Sequence, residues 1–134
     1  MAWTNAGEIA AALPVDYVHL PALGGRRRPA RDSPNGGWES DQFRGYADHM
    51  ASAEFERALA ELERLARERT IAVMCAEAQW WRCHRRLLAD ALVVRGWKVL
   101  HIAARGSVDR HELTEFARVD GERLSYPPPQ LALE

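Results

Sequence analysis

The residues whose side chains are best suited to bind a ligand or to react lie close together, between positions 74 and 90. They follow a short apolar run at 71–74 and lead into a segment with helical spacing. In chain order they are Cys75, Glu77, Arg82, Cys83, His84, Arg85 and Arg86. A strand, a loop and a cationic helix start commonly bind an anion, because helix N–H groups and guanidinium groups both attract negative charge. The pattern predicts an anion site that spans Cys75–Arg86.

Cys75 and Glu77 are the candidate catalytic groups of this stretch. A helix N-terminus and nearby arginines would stabilise a thiolate at Cys75, in a layout reminiscent of rhodaneses and cysteine phosphatases. Those enzymes have an arginine where this chain has Trp81. Glu77 is the alternative reacting group, as a general base, with Arg82 or Arg85 stabilising the developing charge. Each also has a simpler interpretation: Cys75 packs at a strand end, and Glu77 pairs with an arginine.

The predicted ligand-binding residues include others outside the helix start. The full set is Arg82, His84, Arg85, Arg86, Arg26, Arg27, His19, His101 and Trp81. His19 and His101 stand near the ends of predicted strands, where parallel sheets bind their ligands. Arg26 and Arg27 belong to a long loop at 21–39 that would close over the site. The alternative is that the histidines are structural and that the tryptophan anchors a loop.

Hydrophobic periodicity assigns the helices and strands that would position these groups. Helical spacing is found at 43–50, 55–66 and 83–95, and Asn5 can cap a shorter helix that ends at Pro14. Apolar runs at 71–75 and 98–102 indicate buried strands, and Tyr17–Leu20 indicates a third strand. Asp120–Gly121 predicts a hairpin turn near the C-terminus.

A helix between two apolar strands predicts a parallel βαβ unit. We therefore expect one α/β domain over residues 1–134, with a small, mainly parallel sheet flanked by helices in three layers. A C-terminal β-hairpin follows, and residues 126–134 form an irregular tail. Asp90 falls in the middle of the third helix, four residues after Arg86, so we expect an ion pair or buried capping there.

Several ordered motifs resemble the family known as domain of unknown function 488 (DUF488). They are Cys75–Glu77, Trp81–Arg85, Leu88–Asp90, Asp16–Arg27, Phe43–Met50 and Val99–Ile102. The resemblance covers roughly residues 5 to 126 and implies an α/β fold, but no established activity. Family members usually begin with two strands, ending in Ile-Gly-His-Ser and carrying Asp-Val-Arg, and this chain has neither motif. A sheet without them would expose an edge, so we expect a homodimer that covers it.

Composition narrows the functional classes only slightly. The formal net charge of −1 gives no overall attraction to nucleic acid or membrane, although all 18 Lys and Arg residues except Lys98 are arginine. A GC-rich genome would give the same bias. Two cysteines are too few for a disulfide scaffold and indicate reduced thiols in a cytoplasmic protein. No run is long and apolar enough to span a bilayer, and no signal peptide is evident.

Three functional hypotheses remain. The leading one is binding of an anionic small molecule, of phosphate or nucleotide type, without a cofactor. The second is a nucleic-acid-binding or regulatory module that uses Trp80, Trp81 and the arginines at 26–31. The third is an inactive, shortened family member. Zinc binding by Cys75, Cys83, His84 and His101 is disfavoured, because the neighbouring arginines oppose a cation.

Overall fold

The computed structural model describes residues 17–25, 27–74, 80–103 and 106–129. In these residues we find three α-helices: α1 (Asp41–His49), α2 (Ala53–Glu68) and α3 (Arg85–Val94). The strands are β1 (Leu100–Ile102), β2 (Val108–Arg110), β3 (Arg118–Asp120) and β4 (Arg123–Ser125). Single turns of 3-10 helix occur at Pro21–Leu23 and Trp80–Arg82. None of the described helices is long and apolar enough to cross a lipid bilayer.

The first two helices each begin directly after a serine, two residues before the apolar spacing that starts at 43 and at 55. The Ser40 hydroxyl accepts a hydrogen bond from the Phe43 amide at the start of α1, and Ser52 does the same for Phe55 at the start of α2. Acidic residues follow in both first turns, where the positive end of the helix dipole favours them. The predicted helices over 43–50 and 55–66 are therefore confirmed, each with a few more residues.

The three helices and the C-terminal hairpin enclose one apolar core. Its buried members extend along the chain from Leu23 to Tyr126, with Phe55, Leu59 and Leu87 among the least exposed. Trp38 packs edge-on against Phe116, with ring centroids 4.7 Å apart. The core therefore joins the N-terminal loop to the end of the described chain.

The predicted parallel sheet is wrong. β1 pairs with β2 in antiparallel register, Leu100 opposite Arg110 and Ile102 opposite Val108. β3 and β4 form a second, separate antiparallel pair. The architecture of the described residues is thus three helices with two hairpins, not a sheet between helical layers. Glycine explains the local pairing: Gly106 has φ +77°, which lets the chain turn back within a few residues of β1.

Two segments predicted as strands have no regular structure. Ile71 packs against the core, but residues 72–74 are exposed, and half of Met74 is accessible to solvent. Residues 17–20 are irregular as well. The run at 71–75 therefore does not supply the buried central strand of a βαβ unit, at least over the four residues that are described.

The C-terminal hairpin and the end of α3 were predicted correctly. Gly121 lies in the turn between β3 and β4 with φ +65°, and Gly96 follows α3 with φ +93°. Both values fall in the left-handed region, which glycine adopts without steric cost. The predicted helix beginning at Asn5 lies outside the described residues.

Candidate functional site

The start of α3 differs from the starts of the other two helices. His84 precedes the helix without a side-chain cap, and no acid occurs in the first turn. Instead, the Arg85 amide donates to the Cys83 sulfur at 3.5 Å, and the Arg86 amide donates to the Cys83 carbonyl at 3.0 Å. The first N–H groups are therefore already bound within the chain. Side chains, rather than free amides, supply the positive potential here.

His84 lies against the N-terminal loop. A Cβ atom added at Gly25 would be only 2.7 Å from Nδ1 of His84, so the loop backbone approaches the imidazole closely. The ring of Tyr46 lies 5.0 Å from the His84 ring, centroid to centroid, and the Cys83 sulfur is 3.5 Å from His84 Nδ1. The structure thus places Gly25 of the 21–39 loop against the residue that precedes α3; closure of Arg26 and Arg27 over the site stays a prediction.

Hydrogen bonds from α1 hold this loop in place. The buried Tyr46 hydroxyl donates to the Leu23 carbonyl at 2.9 Å, and His49 Nε2 lies 2.6 Å from the Ala22 carbonyl. Burial raises the pKa of Tyr46, with a further contribution from Cys83 and an opposing one from Arg27. Tyr46 therefore stays protonated and serves as a donor to the loop backbone.

Arg27 is partly used by its own loop. Its guanidinium donates to the Pro21 and Gly24 carbonyls, at 3.2 and 3.4 Å. It makes no ion pair with a described carboxylate. Arg27 is therefore a cation whose conformation the loop already fixes.

Arg86 is held more firmly. Its guanidinium lies over the Trp38 ring, 4.9 Å from the centroid, and its Nε donates to the Thr114 hydroxyl at 3.3 Å. It makes no ion pair with a carboxylate of the described residues, so the predicted Arg86–Asp90 pair is absent there. A guanidinium fixed by an aromatic face and a hydroxyl keeps its charge for another acceptor.

Asp90 instead forms the centre of a buried polar network. One of its oxygens accepts from His111 Nε2 at 2.7 Å and from the Thr114 amide at 3.0 Å. The other oxygen accepts from the Tyr126 hydroxyl at 2.8 Å. Burial raises the pKa of Tyr126, and the negative charge on Asp90 raises it further. Asp90 was thus predicted correctly as a buried capping residue, here of the loop at Thr114.

The network continues from His111 to His101. Nδ1 of His111 lies 2.7 Å from Nε2 of His101, and both rings are buried. The pKa of His101 is lowered to about 4, first by burial, then by His111 and by the charge on Arg85. Asp109 and Asp90 oppose this shift. The network therefore extends from Asp90 on α3 through His111 to His101 on β1.

The remaining predicted residues are less well placed. Cys75, Glu77 and Arg26 lie outside the described residues. His19 is exposed in an irregular segment and makes no hydrogen bond or ion pair with a described residue. Trp81 is half exposed, whereas Trp38 is a core residue.

Sequence reasoning missed three members of the network: His111, Thr114 and Tyr126. They come from two different segments, the loop after β2 and the chain after β4, and share no spacing with Asp90, so no local pattern connects them to it. The one available signal was an aspartate at a position where the helical pattern requires an apolar residue. An acid on a core face needs polar partners, although its position does not reveal which ones.

Concave surfaces are found elsewhere on the molecule. One is a shallow cleft between Arg27–Pro29 and the first turn of α1. Another is a groove between the helices and the C-terminal hairpin, with Phe55, Leu59 and Leu124 among its lining residues. Within the described part of the chain, no three His, Cys, Asp or Glu side chains come together as a metal site.

The comparison with known families gives one match. Residues 3–92 match the family model described as Domain of unknown function DUF488. The chain belongs to this family. The membership predicted from its motifs is therefore confirmed, over a region that includes the start of α3 and Asp90. His101, His111 and Tyr126 follow the matched DUF488 region. No curated protein and no solved structure matches the chain.

Proposed function

We propose that the protein binds an anionic small molecule, of phosphate or nucleotide type, at the start of α3. The binding groups would be His84, Arg85 and Arg86, with Arg27 at the edge of the site. The observation that carries this proposal is the cationic first turn of α3. Positive side chains at a helix N-terminus oppose the helix dipole and reduce stability, so their presence suits a bound anion.

The other two helices support this interpretation. α1 and α2 each begin with a serine cap and acidic residues, so the chain uses the stabilising arrangement elsewhere. Only α3, among the described helices, combines an uncapped start with two arginines. A bound phosphate would reverse the unfavourable electrostatics of this turn, because its charge complements both the dipole and the guanidinium groups.

The site is also prepared for binding by packing. Arg86 is fixed between Trp38 and Thr114, and the Asp90 carboxylate accepts its hydrogen bonds from other groups, the Thr114 amide and the Tyr126 hydroxyl among them. A side chain that is already immobilised loses less conformational entropy when it binds a ligand. The loop at Gly25, which packs against His84, gives the site one wall.

Calorimetric titration with orthophosphate and with ATP tests the proposal. We expect binding by the wild-type chain, and we expect Arg86→Gln to weaken it. A charge-assisted hydrogen bond contributes about 1.5–3 kcal/mol, so the dissociation constant should rise by roughly tenfold or more. Each ligand should also raise the melting temperature, and the rise should be larger for the wild-type chain than for Arg86→Gln.

Arg57→Gln is the matched control. Arg57 is exposed on α2 and has no partner among the described residues, and its replacement removes the same charge. Arg85→Gln provides a second variant if loss of the Arg86–Trp38 contact impairs folding. The proposal is wrong if the wild-type chain binds neither ligand, or if Arg57→Gln weakens binding as much as Arg86→Gln.

Nucleic-acid binding is the second candidate. The observation that favours it is Trp81, of which 49% is exposed, followed by the exposed Arg82. Exposed aromatic rings beside arginines stack on unpaired bases. A single-stranded oligonucleotide that binds tightly with steep salt dependence, and that loses affinity with Trp81→Ala, would favour this alternative over a small anion.

The proposed compartment is the cytoplasm. Cys83 is buried beside His84, and the two cysteines of the chain are too few for the disulfide scaffold of a small secreted domain. The proposed reactions of Cys75 and Glu77 stay predictions, because both residues lie outside the described part of the chain.

A further inference from the structure

The groove between the helices and the C-terminal hairpin combines an apolar floor with a polar rim. Its buried lining residues include Ala47, Met50 and Ala91, and the half-buried Leu124 joins them from β4. The groove encloses about 510 Å³. Small-molecule sites enclose roughly 300–1,000 Å³ and set a few polar groups beside apolar ones. The groove therefore has the dimensions of a site for a small organic molecule.

Hydrogen bonds hold the hairpin side of the groove in place. Asn35, which also lines the groove, accepts from the Tyr126 amide at 2.9 Å and donates through Nδ2 to Asp48 of α1 at 2.7 Å. The Tyr126 carbonyl accepts from the Gly37 amide at 2.7 Å. Tyr126 directly follows Ser125, the last residue of β4. These bonds fix the end of β4 before any ligand arrives, which lowers the entropic cost of binding.

Arg95, on the helix side of the groove, is already paired with carboxylates. Its guanidinium lies 2.9 Å from Glu56, 2.9 Å from Glu63 and 3.9 Å from Glu122, measured between the nearest nitrogen and oxygen atoms. The charge of Arg95 is thus balanced within the chain. A bound anion would have to find its cation on the other side of the groove.

Arg118 provides that cation on the hairpin side. Arg118 and Arg123 both line the groove and are exposed, and neither makes an ion pair or a side-chain hydrogen bond with a described residue. Arg123 stands opposite Asp120 in the hairpin, so the charge of Asp120 offsets its own. Arg118 stands opposite the neutral Ser125.

The hairpin register brings the Arg118 guanidinium and the Ser125 hydroxyl to one face. Residues directly opposite each other in an antiparallel pair have Cβ atoms about 4.5–5.5 Å apart. The Ser125 hydroxyl, like Arg118, has no hydrogen-bond partner in the described part of the chain. The two side chains can therefore donate to the same small acceptor, beside the apolar floor.

We propose that this groove binds an organic monocarboxylate with an apolar body. The carboxylate accepts from Arg118 and Ser125, and the hydrocarbon part covers Met50, Ala91 and Leu124. A single negative charge matches the single cation that no neighbouring acid offsets, whereas Asp120 would repel a dianion.

This site is distinct from the one at the start of α3. Arg95 follows the last residue of α3, and the two ends of this helix are about 14 Å apart. The inference therefore stands or falls independently of phosphate binding.

A titration followed in amide NMR spectra tests the inference, with octanoate as the probe and octanol as its uncharged counterpart. Octanoate should shift the amide signals of groove residues such as Ala51, Ala91 and Ser125. Octanol should bind more weakly by about two- to fivefold, the contribution of an exposed ion pair. Arg118→Gln should raise the Kd for octanoate by the same factor and leave that for octanol unchanged.

Asp120→Asn gives a change of the opposite sign. It removes the acid beside the head-group site, so octanoate should bind more tightly while octanol binds as before. Arg57→Gln, which removes an exposed arginine of α2 away from the groove, is the control and should bind both compounds like the wild-type chain.

Three results would overturn the inference. The first is that octanoate shifts no groove amide, or shifts only amides at the start of α3. The second is that octanol binds as tightly as octanoate. The third is that Arg118→Gln, with an unchanged spectrum in the absence of ligand, binds octanoate as well as Arg57→Gln does.

Discussion

At the scale of single residues, Asp90 has the largest structural consequences. A carboxylate with no solvent exposure is stable only if its lone pairs are satisfied, and His111, Thr114 and Tyr126 satisfy them. These partners connect α3 to the chain beyond β2 and to the last described segment. The same contacts that make burial of the charge tolerable also orient the His111 imidazole.

The hydrogen bond from Tyr126 to this carboxylate should be among the stronger ones in the molecule. Tyr126→Phe should reduce the free energy of unfolding by about 1.5–3 kcal/mol, because the bond is made to a charged acceptor. Tyr46→Phe is the matched comparison. It removes a similarly buried hydroxyl that donates to a neutral carbonyl, and should cost about 0.5–1.5 kcal/mol. Urea unfolding measures both, and equal losses would contradict an ionised Asp90.

Stability should depend on pH through His101. Its pKa is about 4 in the folded chain, against an ordinary value of 6.5. Between these two values the unfolded chain binds more protons than the folded chain. The contribution of His101 to the free energy of unfolding should therefore be fully present above pH 6.5 and should be lost as the pH falls toward 4. Urea unfolding at several pH values measures this. In His101→Gln the free energy of unfolding should change less with pH over that range. An unchanged slope would be evidence that His101 is not responsible for the pH dependence.

At the scale of elements, glycine decides how the N-terminal loop reaches the site. A Cβ atom at Gly45 would lie 1.9 Å from the Arg27 carbonyl oxygen, so α1 and the loop can touch only because this residue has no side chain. Gly25 likewise allows the loop to approach the His84 ring, because a side chain at this position would collide with it. The sequence places both glycines correctly in a loop and a helix, but their partners lie far along the chain.

Gly45→Ala should therefore displace the loop. We expect a loss of about 1–3 kcal/mol or more from overpacking, together with faster trypsin cleavage after Arg27. Gly36→Ala is the control, since a Cβ atom there would be 3.6 Å from Pro128, an ordinary contact. Mass spectrometry of timed digests measures the cleavage. Equal protection of the two variants would show that the loop is not held by α1.

At the scale of the whole molecule, two separate hairpins replace the predicted sheet. β1 and β2 expose apolar side chains on one face, with 69% of Ile102 and 53% of Val108 accessible. The homodimer that we expected was based on the edge of a parallel sheet, and that sheet is not present in the described residues. Self-association stays a prediction without this original support.

The sequence by itself determined the helices, their boundaries to within a few residues, the C-terminal hairpin and the family. These features depend on local signals: apolar spacing, serine caps, and glycines with positive φ. It also placed the cationic residues at the start of α3. Strand pairing was beyond it, because a short apolar run such as 98–102 has the same pattern whether its partner is parallel or antiparallel.

Only the tertiary structure decided which groups meet. Asp90 lies on α3, His101 lies on β1 and His111 follows β2, and no regular sequence spacing relates them. Hydrogen bonds of 2.7 Å nevertheless join them. Burial and hydrogen bonding depend on how distant segments pack, and no local rule records that packing. For the same reason, the sequence could identify where positive charge accumulates, while the folded chain alone brought a buried carboxylate and two imidazoles together.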